Sequence, residues 1–225
     1  MIRENLESVT RRISRCCKRI GRPSDSVRLV CVTKEASVDQ AEELLGLGIR
    51  DLGENRVQEL VAKHKIIANR ADWHLIGHLQ TNKVRDAVRI AQLIHSVDSA
   101  RLAKEIDREA GKIGKIQDIL IEINTSGEAT KFGIKPSGTV EFLKELTIYP
   151  NISIKGLMTI APEADDPEKV RPYFRALREL RNRINNSQLL TPNSQLLSMG
   201  MSNDFEVAIE EGSNMVRIGR AIFSV

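Results

Sequence analysis

The chain has 225 residues, of which 41% are hydrophobic and 28% charged, a composition typical of a soluble globular protein. Its formal net charge is +4, but lysine and arginine are scattered among acidic residues, which favours a mixed solvated surface over a nucleic-acid-binding patch. Aromatic residues make up only 4% of the chain, which argues further against base stacking on nucleic acid. The length suits a single domain over residues 1–225.

The N-terminal segment carries one apolar stripe of helical spacing. Apolar residues recur there every three or four positions, at Leu6, Val9, Ile13, Cys16 or Cys17, and Ile20. This pattern predicts an extra helix over about 2–20 that packs on the remainder of the fold. The segment contains no long apolar run, so a secretory signal is not expected.

The cysteines and the hydropathy indicate a cytoplasmic protein. The three cysteines, Cys16, Cys17 and Cys31, have no CxxC spacing, and Cys31 lies inside an apolar run. We therefore expect buried thiols rather than disulfides. No stretch approaches the roughly 18 apolar residues that a membrane span requires.

After residue 25, short apolar runs alternate with stretches of helical periodicity. The runs predict strands at 27–33, 49–52, 73–76, 93–97, 116–123, 152–157, 195–198 and 215–218. Helices are expected between them, including helices over about 167–186 and 204–211, with a surface loop over 185–194. Eight strand–helix units favour a closed parallel (β/α)8 TIM barrel over an open doubly wound sheet.

Lys34 follows the first predicted strand. Barrel enzymes place their chemistry at the C-terminal ends of the strands. We expect a lysine at such an end to be partly desolvated, which would leave more neutral amine to condense with an aldehyde. The alternative is an ordinary surface lysine at the end of a strand.

Two glycine-containing segments follow the last two strands. Ser198-Met-Gly-Met-Ser202 precedes a helix for which Asn203 and Glu206 could form a capping box, and Val216-Arg-Ile-Gly-Arg220 ends the last strand. Free N–H groups at helix starts bind phosphate, and barrel enzymes often bind phosphate at these two strands. Barrel closure would bring this site beside Lys34, which suggests pyridoxal 5′-phosphate (PLP). A plain cap and a plain turn are the alternative.

Other polar residues give weaker signals. Glu54 and Asn55 follow the second strand, where they could be helix caps or part of a polar cofactor rim. His74 is expected to pack or to satisfy a backbone group. The four histidines have no HExxH spacing and are not joined by cysteines, so we expect no metal site. GxSxG, Walker A and GxGxxG motifs are not present in the sequence.

Specific motifs along nearly the whole chain match a known family. They occupy residues 32–34, 53–59, 73–83, 131–133, 156–158, 197–204 and 216–219. On these residues the chain resembles the YggS/PROSC family of pyridoxal phosphate homeostasis proteins. The barrel of that family is similar to the N-terminal domain of alanine racemase, a PLP enzyme of fold type III.

The resemblance implies a set of cofactor contacts. It implies that Lys34 carries PLP covalently as a Schiff base. It implies that Arg217 faces the pyridine nitrogen and that Asn55 and Met158 border the ring. The residues implied around the phosphate, largely through backbone N–H groups, are Ser198, Met199, Gly200, Ser202, Gly219 and Arg220.

The same resemblance favours a carrier over an enzyme. An arginine at the ring nitrogen weakens the electron sink that PLP enzymes use. Alanine racemase supplies a catalytic tyrosine from a second, β domain, which we expect this chain to lack, and Tyr149 and Tyr173 are expected away from the catalytic rim. We therefore expect a monomeric PLP-binding protein without robust turnover, which serves vitamin B6 homeostasis and amino-acid balance, with PLP-dependent apo-enzymes as partners. The alternatives are a monomeric amino-acid racemase-like enzyme and a module that binds anions or RNA.

Overall fold

Eight parallel strands form a closed barrel in sequence order. The computed structural model describes residues 1–128, 130–186 and 195–224. The strands are β1 Arg28–Val32, β2 Asp51–Glu54, β3 Asp72–Leu75, β4 Leu93–Val97, β5 Gln117–Glu122, β6 Ile152–Met158, β7 Leu196–Ser198 and β8 Met215–Ile218. The predicted TIM barrel is therefore confirmed.

Helices follow the strands and surround the barrel. They are α1 Ile2–Arg19, α2 Val38–Gly46, α3 Val57–Ile67, α4 Val84–Ile90, α5 Ala100–Gly111, α6 Thr139–Leu146, α7 Arg171–Asn186, α8 Phe205–Glu210 and α9 Arg220–Phe223. The helix expected over 167–186 begins as a 3₁₀ turn and becomes α-helical at Arg171. Of the surface loop predicted over 185–194, the first two residues belong to α7, and residues 187–194 lie outside the described residues.

The second strand lies two residues later than predicted. The apolar run ends at Leu52, but β2 continues to Glu54. Glu54 is fully buried and its carboxylate is paired with Lys63, so a charged residue completes a buried strand. Hydrophobicity alone could not place that end.

The predicted N-terminal helix is confirmed, and it covers the closure of the barrel. Its apolar stripe is buried, and the Asn5 side chain donates hydrogen bonds to the carbonyl oxygens of Ile222 and Ser224, each at 3.1 Å. Arg12 pairs with Glu206 at 3.0 Å and lies over the Phe205 ring at 4.6 Å. The helix thus ties the first element of the chain to α8 and α9.

The capping box expected from Asn203 and Glu206 is wrong. Asp204 is the N-cap of α8, and its Oδ1 accepts a hydrogen bond from the Met201 backbone N–H at 2.6 Å. Glu206 turns instead toward Arg12 on α1. The carboxylate of Asp204 therefore closes the β7–α8 loop on itself.

The cysteines are buried and unpaired. Cys16, Cys17 and Cys31 are free thiols, as expected. Burial raises the pKa of Cys31 to about 12, so this thiol is neutral at ordinary pH. Within the three described ranges, no helix combines the length and apolar content needed to cross a membrane.

A substitution at Gly156 tests how closely β6 and β7 pack in the barrel wall. Its φ is +153°, and a Cβ built there would lie 2.0 Å from the Leu196 carbonyl oxygen on β7. Gly156→Ala should lower the Tm by about 10 °C or more, because neighbouring strand backbones would have to separate. Thermal unfolding followed by circular dichroism measures this effect.

Gly46→Ala is the matched control. A Cβ at Gly46, the last residue of α2, meets no atom within 4 Å. This variant should keep or slightly raise the wild-type Tm, because alanine favours the helix. A Gly156→Ala variant as stable as the Gly46→Ala control would contradict the described β6–β7 packing.

Candidate functional site

A cavity of about 600 Å³ opens at the C-terminal ends of the strands. The segments that follow β1, β2, β3, β6, β7 and β8 contribute to its wall. Several of the site residues predicted from sequence line it, namely Lys34, Asn55, Ser202, Arg217, Gly219 and Arg220. The structure therefore brings the lysine and the two glycine-containing segments to one cavity.

The other predicted site residues lie behind the cavity wall. Met158 and Ser198, the last residues of β6 and β7, are fully buried, and Met199 is fully buried after β7. Met158 packs inside the barrel. A Cβ at Gly200 would lie 2.6 Å from the Ala208 Cβ, so this glycine lets the β7–α8 loop approach α8. The ring and phosphate contacts expected of these residues stay predictions.

Lys34 lies in a tight turn after β1. The Ala36 N–H donates to the Thr33 carbonyl oxygen at 3.0 Å, and Glu35 has a positive φ of 68°. The Lys34 side chain is exposed, so the expectation of partial desolvation is wrong. The turn presents the lysine to the open cavity instead of to the barrel core. Within the described part of the chain, its Nζ has no hydrogen-bond or ion-pair partner.

A buried ion pair holds this turn from behind. Lys63 Nζ lies 2.6 Å from Glu54 Oε1 and also donates to the Thr33 carbonyl oxygen, while Thr33 Oγ1 donates to the same Glu54 oxygen at 2.5 Å. Burial raises the pKa of Glu54, and the hydrogen bonds from Lys63 and Thr33 oppose this shift. Two side chains, those of Glu54 and Lys63, thus fix Thr33, the residue directly before Lys34.

Sequence reasoning did not find this pair. It considered Glu54 only as a cap or a rim residue. The available signal was Lys63, which shares the buried face of α3 with Val57, Leu60 and Ile67. A lysine on an otherwise apolar helix face predicts a buried acidic partner, because an isolated buried charge is costly.

The closure of the barrel places free backbone donors at the cavity. A Cβ at Gly219 would lie 3.0 Å from the Val32 carbonyl oxygen, so the β8–α9 turn packs tightly on the end of β1. Ser202 Oγ accepts a hydrogen bond from the Ala221 N–H at 3.2 Å, which joins the two glycine-containing segments. Four cavity-lining residues have backbone N–H groups without a partner among the described residues: Ser202, Asn203, Gly219 and Arg220. Such donors suit an anionic group.

Arg217 lies at the bottom of the cavity. It is 3% exposed, its Nη1 donates to Ser198 Oγ at 2.6 Å, and its Nη2 donates to the Thr159 carbonyl oxygen at 3.0 Å. Burial lowers the pKa of Arg217 to about 10, which still leaves it a cation at neutral pH. The protein itself therefore fixes a positive charge beneath the cavity.

Comparison with known proteins identifies the family. The family model for the alanine racemase N-terminal domain matches residues 5–225. The pyridoxal phosphate homeostasis protein of Aquifex aeolicus is 44% identical over 222 residues, which cover 98% of this chain and 96% of that protein. The chain belongs to the pyridoxal phosphate homeostasis protein family. The homologue of the same name from Vibrio alginolyticus is 36% identical over 99% of this chain and 96% of its own length.

Solved structures agree with this membership. PipY of Synechococcus elongatus, described with PLP bound, has a TM-score of 0.85 and 32% identity over the whole of both chains. An unknown protein from Bifidobacterium adolescentis has a TM-score of 0.93 and 35% identity, with 99% of this chain and 94% of that one covered. Alanine racemase of Clostridium difficile, at 17% identity and a TM-score of 0.79, shares the fold over 99% of this chain and 58% of its own. The resemblance found in the sequence is confirmed.

This homeostasis-family barrel also has a buried acid that sequence reasoning missed. Glu122, the last residue of β5, is 6% exposed and lines a cavity of about 160 Å³ that shares Lys131 with the larger one. Burial raises the pKa of Glu122 to about 7, and the nearby Asp98 adds to this shift while Arg217 opposes it. The folded state therefore favours the neutral carboxyl group.

Glu122→Gln should stabilise the protein at alkaline pH. The Glu122 pKa is raised from 4.5 to about 7 on folding, so ionisation of Glu122 destabilises the folded state. This destabilisation is complete above about pH 7 and absent below about pH 4.5. At pH 8 the variant should gain up to about 3 kcal/mol in the free energy of unfolding, and this gain should vanish as the pH falls to about 4.5. Urea unfolding at both pH values measures it.

Glu141→Gln is the control, because Glu141 is an exposed residue of α6. This variant should follow the wild type at both pH values. A gain for Glu122→Gln that does not change between them would contradict the shifted pKa of Glu122.

Proposed function

We propose that this protein binds PLP at the C-terminal mouth of its barrel and acts in vitamin B6 homeostasis. One observation carries the proposal: the Lys34 amine and the backbone N–H groups around Gly219, all without a partner among the described residues, line the same cavity. An amine and an anion site are the two features that an aldehyde phosphate requires. The PLP described in PipY, a relative with the same barrel, supports the assignment.

The residues present fit the cofactor. Lys34 would hold the aldehyde carbon, and the N–H groups of Ser202, Asn203, Gly219 and Arg220 would bind the phosphate. Arg217 would lie on the side of the ring nitrogen, and Asn55 would border the ring. When bound, PLP supplies a reactive aldehyde and an electron-withdrawing ring.

Lys34 is favoured over the other lysine of the cavity. Lys131 also lines it, but Lys131 Nζ is buried, and it lies 3.1 Å from Glu128 Oε1 in an ion pair that lacks hydrogen-bond geometry. Lys34 has no such partner among the described residues and is exposed to the cavity. We therefore assign the covalent attachment to Lys34.

We further propose that the protein is a carrier without robust turnover. Arg217 is a buried cation, and such a group opposes protonation of the ring nitrogen that would strengthen the electron sink. Racemisation also needs a proton donor on each face of the substrate carbon. Tyr173 lies on α7 and Tyr149 follows α6, and neither lines the cavity.

The cellular setting is part of the proposal. We place the protein in the cytoplasm as a monomer formed by one domain over residues 1–225. PLP-dependent apo-enzymes would be the partners that receive the cofactor. The free buried thiols of Cys16, Cys17 and Cys31 are consistent with a reducing compartment.

Borohydride reduction of the PLP-loaded protein tests the attachment. The cofactor should become irreversibly linked to Lys34, because its amine is exposed and has no ion-pair partner among the described residues, whereas Lys131 Nζ is buried and lies beside the Glu128 carboxylate. Peptide mapping by mass spectrometry locates the link. Lys34→Ala should lose the visible absorption band of the holo-protein, whereas Lys131→Ala should keep it. A label that maps to Lys131 in the wild type would contradict the assignment.

Incubation of the holo-protein with L-alanine tests the carrier role. No D-alanine should form at the rates of ordinary enzymes, on the order of 10 per second. Chiral chromatography measures the product, with an alanine racemase as positive control. Sustained racemisation that Lys34→Ala abolishes would establish the racemase-like alternative.

A further inference from the structure

A continuous row of hydrogen-bonded side chains crosses the barrel interior beneath the cavity. We call this row the buried relay; its members are Asp51, His74, His95, Ser198 and Arg217. Asp51 Oδ1 lies 2.8 Å from His74 Nε2, and His74 Nδ1 lies 2.9 Å from His95 Nε2. His95 Nδ1 lies 3.0 Å from Ser198 Oγ, which accepts from Arg217 Nη1 at 2.6 Å.

The relay joins opposite ends of the barrel. Arg217 lines the cavity at the C-terminal ends of the strands. Asp51 is the first residue of β2, and its carboxylate pairs at 2.8 Å with Arg28, the half-exposed first residue of β1. His74 and His95 between them are 1% and 0% exposed. The expectation that His74 packs or satisfies a backbone group is therefore incomplete, because both of its ring nitrogens face side chains.

The chemistry of the two ends fixes the direction of every hydrogen bond. An arginine can only donate, so Ser198 Oγ accepts from Arg217, and the Asp51 carboxylate can only accept, so neutral His74 donates to it from Nε2 and accepts at Nδ1. Following the row from Asp51, neutral His95 donates from Nε2 to His74 Nδ1, and Ser198 gives its own hydrogen to His95 Nδ1. All four contacts are satisfied with both imidazoles neutral.

A second proton on His74 would reverse the donor and acceptor roles in the His74–His95 and His95–Ser198 hydrogen bonds. Both nitrogens of His74 would then donate, so His95 Nε2 would have to accept and its hydrogen would move to Nδ1. Ser198 Oγ would face two donors, from His95 and Arg217, and its own hydrogen would lose its acceptor. Protonation of His74 would thus make the oxygen that holds Arg217 accept a second hydrogen bond, from His95, and would leave the Ser198 hydrogen without its partner.

The two imidazoles have different neighbours. His74 faces the Asp51 carboxylate, which pairs with Arg28, while Arg217 lies at the other end of the relay. Burial, followed by His74, Arg217 and Arg28, lowers the pKa of His95 well below its usual value, so His95 is neutral. Cys31, which also lies near Asp51, is a neutral thiol. His74 is therefore the imidazole of the relay that faces a carboxylate.

We propose that Ser198, His95 and His74 are positioning residues that fix Arg217 beneath the cavity and link its hydrogen bond to protonation of the His74–Asp51 pair. The effect of the relay on PLP binding rests on the proposed function. The hydrogen-bond directions within the relay do not depend on PLP. One experiment therefore tests the hydrogen bonds in the PLP-free protein, and a second tests PLP affinity.

The first experiment uses the PLP-free protein with ¹⁵N-labelled histidine. At neutral pH, NMR should show that His74 and His95 both carry their hydrogen on Nε2. On acidification, the hydrogen of His95 should move to Nδ1 over the same pH range in which His74 gains its second proton. Asp51→Asn should weaken the preference for one direction at neutral pH, because an amide can both donate and accept.

Three NMR outcomes would overturn the relay. One is a neutral His95 with its hydrogen on Nδ1 at neutral pH. Another is a His95 tautomer that does not change while His74 becomes doubly protonated. The third is a His74 that stays neutral until the protein unfolds. His64, which packs edge-on against Trp73 and lies outside the relay, serves as the internal reference.

The second experiment measures PLP affinity between pH 7.5 and 5.5. Wild type should lose about tenfold more affinity over this range than His74→Gln, which corresponds to one hydrogen bond to a charged group. His64→Gln should follow the wild type. Equal profiles for wild type and His74→Gln would overturn the link to the cofactor. Absence of PLP binding in all three proteins, with the NMR result intact, would instead refute the proposed function.

Discussion

The pairing of β1 with β8 is the contact on which the candidate site depends. The register Cys31↔Ile218 places the turn that carries Lys34 beside the turn that carries Gly219. The absence of a Cβ at residue 219 favours this close approach, since one would lie 3.0 Å from the Val32 carbonyl oxygen and the neighbouring backbone would have to shift. Helix α1 secures this closure from outside, through Asn5 and its apolar face. Packing on the outer surface thus sets how close the amine lies to the free N–H groups.

Buried acidic residues at the ends of β2 and β5 have different partners. The Glu54 carboxyl group is paired with Lys63, which partly offsets the cost of its burial, and it fixes the turn before Lys34. Glu122 has no paired cation in direct contact among the described residues, and its pKa rises to about 7 as a result. Burial raises the pKa of both carboxyl groups, and at Glu54 a direct hydrogen bond from Lys63 opposes this shift. Removal of Lys63 alone would leave an uncompensated charge beneath the Lys34 turn.

The sequence allowed the barrel to be predicted, because strand order and helix stripes depend on hydrophobic periodicity, which is local. The lysine after β1 and the glycine segments after β7 and β8 followed from that topology. Side-chain partners could not be predicted in this way. Asp204 rather than Asn203 occupies the N-cap position of α8, and His74 pairs with His95, which lies on the next strand. Such contacts depend on which residues point into the barrel, and short buried strands do not show this in their pattern.

The site combines a guanidinium group in a fixed position, that of Arg217, with an accessible amine, that of Lys34. Arg217 makes its hydrogen bonds to Ser198 and to the Thr159 carbonyl oxygen, both protein groups, so its position does not depend on a ligand. The Arg217 side chain is therefore ordered before a ligand binds, and binding does not include the entropic cost of ordering it. Lys34, in contrast, is exposed and has no hydrogen-bond or ion-pair partner within the described residues, so its amine is open to the cavity and to solvent. The arrangement therefore places a positionally fixed cation and an accessible amine in one cavity.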